Sequence, residues 1–460
     1  FLHKNSPTLL NDLRSFMIDN FGFGDFIFRL PNNKKVSVAS TVDDFIEGIT
    51  NIPEESLRFH AESHHFSNWL AARTEFGLAS KLRPVYAHQF QSGEALRSYL
   101  LDRLHSENED SKERVLDYTS SRFRREKSDF FRLCGGSLGG KARGLGFARS
   151  MLKDSGIQKK FSNVNIRVPQ CAVIGTDEFD RFMKDNDLWS IALGGIDDDG
   201  LVKHFIKARL SIDLILRLES FIKENKYPLA VRSSSLLEDS QYQPLAGTYE
   251  TYMLPNNSRS DKKRLKELTI AIKKVFASTF KGEARTLLNN TAHRIEEEKM
   301  AILIQEIVGQ AYKSNRFYPT FSGVLQSINY YPVSYMKRNE GVAYLALGFG
   351  RTIVDGEKCL RISPEYPTIL PQFFSIKATK ENTQNQFYGL PLRAKDQLGP
   401  DLLSYNLKDA EDDGALQWIG SVVSHEDNTI RDSLSTSGTR VVSFAPILKW
   451  KTIPFASLAK

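Results

Sequence analysis

One stretch limits the folds open to this chain more than any other: Gly135-Gly136-Ser137-Leu138-Gly139-Gly140-Lys141-Ala142-Arg143-Gly144-Leu145-Gly146. Glycines permit close backbone approach and φ values closed to other residues, so successive N–H groups can point at an anion. A helix predicted from Lys141 to about Lys153 adds the partial positive charge of its N-terminus. Lys141 places a full charge at the same spot. A P-loop needs Ser or Thr after its lysine to hold Mg2+, and Ala142 stands there, which argues against that motif. The preceding segment, Asp129–Leu133, is also short for a P-loop strand. Taken alone, the loop stays open to a plainer reading, a tight turn between a strand and a helix.

A second anchor follows. Leu229-Ala230-Val231-Arg232 reads as an apolar strand delivering an arginine into a serine-rich loop, Ser233-Ser234-Ser235. An arginine so placed can grip phosphate oxygens with two parallel N–H groups, although strand-end arginines are often structural. Glu238-Asp239 and Ala246-Gly247-Thr248-Tyr249-Glu250-Thr251-Tyr252 come next. Further on, Ile302-Leu303-Ile304-Gln305 closes an apolar strand and Ser322-Gly323-Val324 opens another. Together with Gly139-Gly140-Lys141, these blocks in this order resemble the N-terminal domain of phosphoenolpyruvate synthases, pyruvate phosphate dikinases and rifampin phosphotransferases. The resemblance covers about 135–367, roughly half the chain.

That resemblance implies an α+β fold: an ATP-grasp nucleotide-binding domain that clamps ATP between two subdomains, preceded here by an α-rich N-terminal module. It implies that Gly139, Gly140 and Lys141 contact the nucleotide phosphates and that Arg232 neutralises the transferring phosphoryl group. Thr251 would lie in a loop covering the phosphates and Gln305 would face the adenine. From the residues alone, Gln305 could equally cap a strand and Thr251 could be an ordinary β residue. The implied activity is transfer of a phosphoryl group from ATP, with Mg2+, to a phosphohistidine carrier domain and on to pyruvate or a similar acceptor. Both carrier and acceptor parts are expected outside this chain.

The sequence departs from the family's pattern in places. Where members carry a GLGE block, this chain reads Leu347-Gly348-Phe349-Gly350-Arg351, so a base replaces the acid; Val354-Asp355-Gly356-Glu357 keeps the family's shape. The family's metal-binding Glu and Gln, the latter before an Arg-Pro pair, find no match between 368 and 460. The chain is therefore expected to stop before that machinery is complete and to be inactive by itself. Gly420-Ser421-Val422-Val423-Ser424-His425 echoes the carrier's histidine loop, but the second glycine is missing and the echo reads as coincidence. The alternative to an enzyme is a catalytically degenerate nucleotide-binding module, or a scaffold whose N-terminal part docks a partner. Retention of Lys141 and Arg232 favours the enzyme, since a scaffold needs neither.

At 460 residues two or three domains are expected: 1–130, 131–367 and a C-terminal extension, 368–460, polar and irregular up to about 435. A net charge of +7 suits polyanionic ligands such as nucleotides without singling out nucleic acid. Cys134, Cys171 and Cys359, odd in number and far apart, fit a reducing cytoplasm rather than a disulfide framework. No apolar run approaches the ~20 residues that span a bilayer. The start, Phe1-Leu2-His3-Lys4, has neither a signal core nor an initiator Met, as expected of a processed piece.

Within the first module, helices are predicted over Leu9–Met17 and Leu57–Ala79, with a hairpin of Phe26-Ile27-Phe28 and Val36-Ser37-Val38. The charge-dense stretch Ser106–Lys127 reads as a solvated helix at a domain boundary. His60 and His64 share a helical face, a spacing that can ligate zinc, but nothing nearby completes a ligand set and packing roles are favoured. Phe66–Arg73 looks like a docking or dimer face, so a homo-oligomer is possible. In the second part, Cys171–Ile174 and Met300–Gln305 read as buried strands. Thr176 is expected to cap a helix containing Phe179 and Phe182, and long helices are expected over 203–224 and Lys262–Phe280.

Overall fold

A computed structural model describes residues 25–39, 42–72, 76–110, 116–117, 130–235, 248–289, 298–333, 335–393 and 402–449. The chain divides into two units, Phe1–Arg114 and Val115–Lys460. The helix predicted over Leu9–Met17 lies outside the described residues, as does most of Ser106–Lys127.

In the first unit, β1 (Phe26–Arg29) and β2 (Lys35–Ala39) form the expected antiparallel hairpin, with Ile27 opposite Val38. Its inner face, Phe26 and Phe28, packs on helices α1 (Val42–Asn51), α2 (Glu54–Glu62), α3 (His65–Ala72), α4 (Phe76–Leu82) and α5 (Gly93–Asp110). Phe45, Leu57, Trp69, Leu70, Leu96 and Leu100 fill this core. The single helix expected over Leu57–Ala79 is three. It breaks at Ser63-His64, where His64 takes a φ of 55°, while the apolar periodicity runs on undisturbed through the break. Phe66, Trp69 and Leu70, expected on a docking face, are instead buried in the unit's own core.

The second unit is organised on a six-stranded sheet in the order β3-β4-β5-β8-β6-β7. Its strands are β3 (Leu116–Asp117), β4 (Phe130–Cys134), β5 (Cys171–Ile174), β6 (Leu229–Ser235), β7 (Thr251–Leu254) and β8 (Met300–Glu306). The first three run parallel, and β8 lies antiparallel between β5 and β6. Central strands covered on both faces must be apolar throughout, which is why Cys171-Ala172-Val173-Ile174 and Met300-Ala301-Ile302-Leu303-Ile304 show no alternation. One face, with Phe131, Ile174, Val231 and Ile304, meets Phe179, Phe205, Leu218 and Phe276. These come from α7 (Thr176–Asp185), α8 (Asp198–Lys207), α9 (Ile212–Glu224) and α10 (Asp261–Ser278). Each such buried aromatic or leucine contributes about 1.5–3 kcal/mol. The opposite face carries the glycine-loop helix, here α6 (Gly139–Asp154).

Three expectations are corrected here. The helix over 203–224 is two, α8 and α9, because Ser211 starts a new one: its Oγ accepts the Leu214 N–H at 3.2 Å. Gly175, not Thr176, occupies the N-cap of α7, and Thr176 is the first helical residue. Ser233, Ser234 and Ser235 are not loop but strand, laddered to Ile302, Ala301 and Met300 of β8.

Beyond β8 the unit continues through β9 (Gln310–Ala311), β10 (Arg316–Tyr318), β11 (Ser322–Gln326), β12 (Val342–Ala346) and β13 (Leu360–Ile362). The stretch after Pro367, read as irregular, holds a helix over Ile376–Asn382 and strands β14 (Gln386–Pro391), β15 (Leu403–Asn406), β16 (Gly420–Ser424), β17 (Ile430–Arg431) and β18 (Gly438–Val442). Its apolar positions are sparse, but Phe387, Leu416, Ile419, Val442 and Phe444 converge with Tyr318, Leu345 and Leu360 on one core. β14 pairs with β10, so this stretch belongs to the same fold as the preceding strands.

Candidate functional site

The glycine loop leaves the end of β4 and is turned by its neighbours. The Gly135 carbonyl accepts the Asp177 N–H at 3.3 Å and the Ser137 carbonyl accepts the Thr176 N–H at 3.0 Å. The loop carbonyls thus satisfy the otherwise orphaned first donors of α7. In return, the Ser137 N–H donates to Thr176 Oγ1 at 3.0 Å. A β-carbon on Gly136, whose φ is 92°, would lie 2.5 Å from the Asp177 nitrogen. With its carbonyls so engaged, the loop leaves the N–H groups of Gly136, Leu138 and Gly140 without a hydrogen bond among the described residues. These lie at or just before the N-terminus of the 16-residue helix α6, whose dipole favours negative charge.

Two consecutive residues of β6 reach this loop and its helix, and Arg232 immediately precedes them. The Ser234 hydroxyl donates to the Leu138 carbonyl at 2.8 Å and accepts the Ala142 N–H at 3.1 Å. Ser233 Oγ accepts from Lys141 Nζ at 3.3 Å. Arg232 donates from Nη1 to Gln305 Oε1 at 3.1 Å. Thr251 on β7 sits directly across from Arg232 and is exposed. Gly139, Lys141, Arg232, Thr251 and Gln305 are therefore brought together along β6 and its two neighbouring strands. Arg232 and Gln305 are half-buried, and the sheet around them is flanked by two packings. On one side Leu303 and Val173 pack on Ala142; on the other Ala230 and Ile307 pack on Phe317 and Leu390 of the later strands. Glu238-Asp239 and Ala246-Gly247 lie outside the described residues.

Several participants escape a reading of the sequence. Ser233 and Ser234 look like loop filler, and their partners in α6 lie 92 residues away. Glu250, beside Thr251, is ion-paired to Lys281 and also accepts the Tyr252 hydroxyl, while Lys274 lies 5.0 Å over the Tyr252 ring. The only hint was the Glu-Thr-Tyr spelling itself. Arg351, where the resemblance implies an acid, pairs with Asp355 at 3.0 Å and stacks 4.8 Å over Tyr388. The Tyr388 hydroxyl donates to Glu357 at 2.7 Å, and that hydrogen bond raises its pKa.

Other candidates resolve into packing. Burial pushes the Cys134 thiol up to about 12, which removes it as a thiolate nucleophile near neutrality. No disulfide links Cys134, Cys171 and Cys359. His60 is buried; its Nε2 accepts the Arg29 N–H at 2.9 Å and its Nδ1 lies 3.0 Å from His65 Nδ1. His425 follows β16 and meets Thr439 Oγ1 of β18 at 3.2 Å, a cross-strand contact. Among the described residues no group of three His, Cys, Asp or Glu could hold a metal ion, and no helix is long and apolar enough to cross a membrane.

Residues 136–389 match the family described as pyruvate phosphate dikinase, AMP/ATP-binding domain. Over 231 residues, 50% of this chain, the sequence is 27% identical to a Bacillus subtilis (strain 168) protein named uncharacterized phosphotransferase YvkC. The matched stretch spans 24% of that relative's length.

Proposed function

Because the chain belongs to the pyruvate phosphate dikinase AMP/ATP-binding domain family, we propose that its second unit binds ATP on the face of the sheet shared by Gly139, Lys141, Arg232, Thr251 and Gln305. In this reading the unit is an ATP-grasp domain that serves a phosphotransferase of the phosphoenolpyruvate synthase type. It supplies a phosphoryl group from ATP to a carrier histidine, and thence to pyruvate or a similar acceptor, on parts outside this chain. The observation that carries the reading is the convergence of a glycine loop with outward N–H groups, Lys141 and Arg232 on one strand, β6. Phosphoryl transfer asks a protein mainly for positioning and charge stabilisation, and these groups supply both.

In this reading each group takes one part of the nucleotide. The free loop N–H groups, Gly140 and Lys141 cradle the β- and γ-phosphates. Arg232 is held at one nitrogen by Gln305, and among the described residues its other N–H groups are left for the transferring phosphoryl oxygens. Thr251 lies beside the phosphates, and Gln305, bonded to Arg232, acts through that arginine rather than on the adenine. ATP brings Mg2+ with it, which neutralises phosphate charge when bound. The described residues offer no cluster of acidic or imidazole ligands for that ion, so none is assigned to hold it.

A second reading, nucleotide binding without catalysis, draws on Arg351, whose charge is committed to Asp355 and Tyr388 in place of a free acid. Calorimetric titration of Mg-ATP into the chain and into Lys141→Ala and Arg232→Ala variants tests the site common to both readings. Saturable binding lost in each variant is expected; binding that survives in both removes these residues from the site.

A further inference from the structure

We propose that Ser234 is the positioning residue of this nucleotide site: its hydroxyl locks the glycine loop onto β6 in the one conformation that presents backbone N–H groups to a polyphosphate. The inference rests on the ATP-binding reading above and adds to it a residue that touches no nucleotide.

Ser234 is fully buried, and among the described residues its hydroxyl makes two hydrogen bonds, both to the loop–helix junction. As donor it holds the Leu138 carbonyl, and as acceptor it holds the Ala142 N–H, so one oxygen spans the first turn of α6. Three loop carbonyls, at Gly135, Ser137 and Leu138, are thereby turned away from the loop's open side, two toward α7 and one toward β6. Gly139 completes the lock. Its φ of 74° and the absence of a side chain let it lie against the Ser234 backbone, where a β-carbon would come within 1.6 Å of the Ser234 oxygen. Alanine or valine at 234 could fill the space, but neither could bridge a carbonyl and an N–H at once.

The position in the strand matters as much as the chemistry. Arg232, Ser233 and Ser234 are consecutive, so the loop is fixed by the same rigid strand that carries Arg232. Ser233 sets Lys141, and Ser234 sets the loop backbone. A lock of this kind governs phosphate contacts and leaves the adenine end untouched. Its loss has a signature that grows with the number of phosphates, which a merely structural residue would not produce.

The experiment is a ladder of affinities for adenosine, AMP, ADP and ATP, the charged ligands with Mg2+, measured on the wild-type chain, Ser234→Ala and Ser233→Ala. In Ser234→Ala, ATP affinity is expected to fall about tenfold, ADP less, and adenosine less than twofold. In Ser233→Ala, where the Lys141 tether is lost and the Ser234 bonds to the loop remain, a smaller fall of the same shape is expected. Melting curves establish that each variant is folded; should Ser234→Ala fail to fold, Ser234→Cys, which keeps the size but donates and accepts weakly, takes its place with the same expected ladder. An equal loss for all four ligands, or none, overturns the role of Ser234 while leaving the ATP site standing. Absence of nucleotide binding in the wild-type chain overturns the functional reading, and this inference with it.

Discussion

Gly139→Ala and Gly144→Ala are the same substitution on the same helix, and the structure assigns them opposite signs. At Gly139 the new methyl group would lie 1.6 Å from the Ser234 carbonyl oxygen and 2.4 Å from its carbon, both backbone atoms of a central strand. Neither side can yield cheaply, so the loop must leave β6 and both Ser234 hydroxyl bonds break. At about 1 kcal/mol net for each bond, and 1–2 kcal/mol for a β-carbon at positive φ, the loss is about 3–4 kcal/mol. At Gly144 a β-carbon meets nothing within 4 Å, and alanine gains about 1 kcal/mol from helix propensity. Urea unfolding followed by intrinsic fluorescence, to which Trp189 against Phe280 in this unit contributes, measures both. A Gly139→Ala variant within 1 kcal/mol of wild type, or equal destabilisation by both, would refute the account of how the loop is held.

Two further predictions concern charge. Arg316 holds Asp413 through Nε at 2.9 Å and Asp409 through Nη1 at 2.9 Å, and Tyr318 and Ser314 donate to the same Asp413 carboxylate. Burial alone would raise the Asp413 pKa, but these donors together lower it, so its stabilisation is complete above its ordinary value of 3.8 and is lost as pH falls below it. Arg316→Ala is expected to cost about 3–5 kcal/mol in urea unfolding at pH 7 by leaving Asp413 buried without its cation. Burial, then the nearby His65 and Arg29, hold the His60 pKa down to about 3 against an ordinary 6.5. A base with a depressed folded pKa favours the fold only while neutral, so the first unit should be fully stable above pH 6.5 and weaken progressively down to about pH 3. Fluorescence of Trp69, stacked on Phe45 at 4.8 Å, reports that unit, and His60→Gln should flatten its pH dependence.

How much of this could be read in the sequence varies with the kind of signal. The strands Cys171–Ile174 and Met300–Glu306 were legible because a strand covered on both faces has no polar positions to confuse it. The α+β class and the glycine loop were legible too, since loop, Lys141 and helix are contiguous. Serine obscured the next layer: in Ser233–Ser235 it looked like a loop, although the backbone is laddered to β8 and the hydroxyls serve α6. Helix breaks at His64 and before Ser211 were hidden by apolar spacing that continues past them. After Pro367 the difficulty was dilution. Phe387 and Val442 are spaced too widely for a local pattern, and only pairing of β14 with β10 gathers them into a core. The lock on the glycine loop was illegible for a simpler reason: nothing local in the sequence links residues 92 positions apart.

The measurement that bears most directly on the central claim is calorimetric titration of Mg-ATP into the unaltered chain, with Lys141→Ala in parallel. One saturable site per chain, abolished by the substitution, is the expected result. A wild-type titration without heat, together with an unshifted melting temperature at millimolar nucleotide, would contradict the assignment of this face as an ATP site.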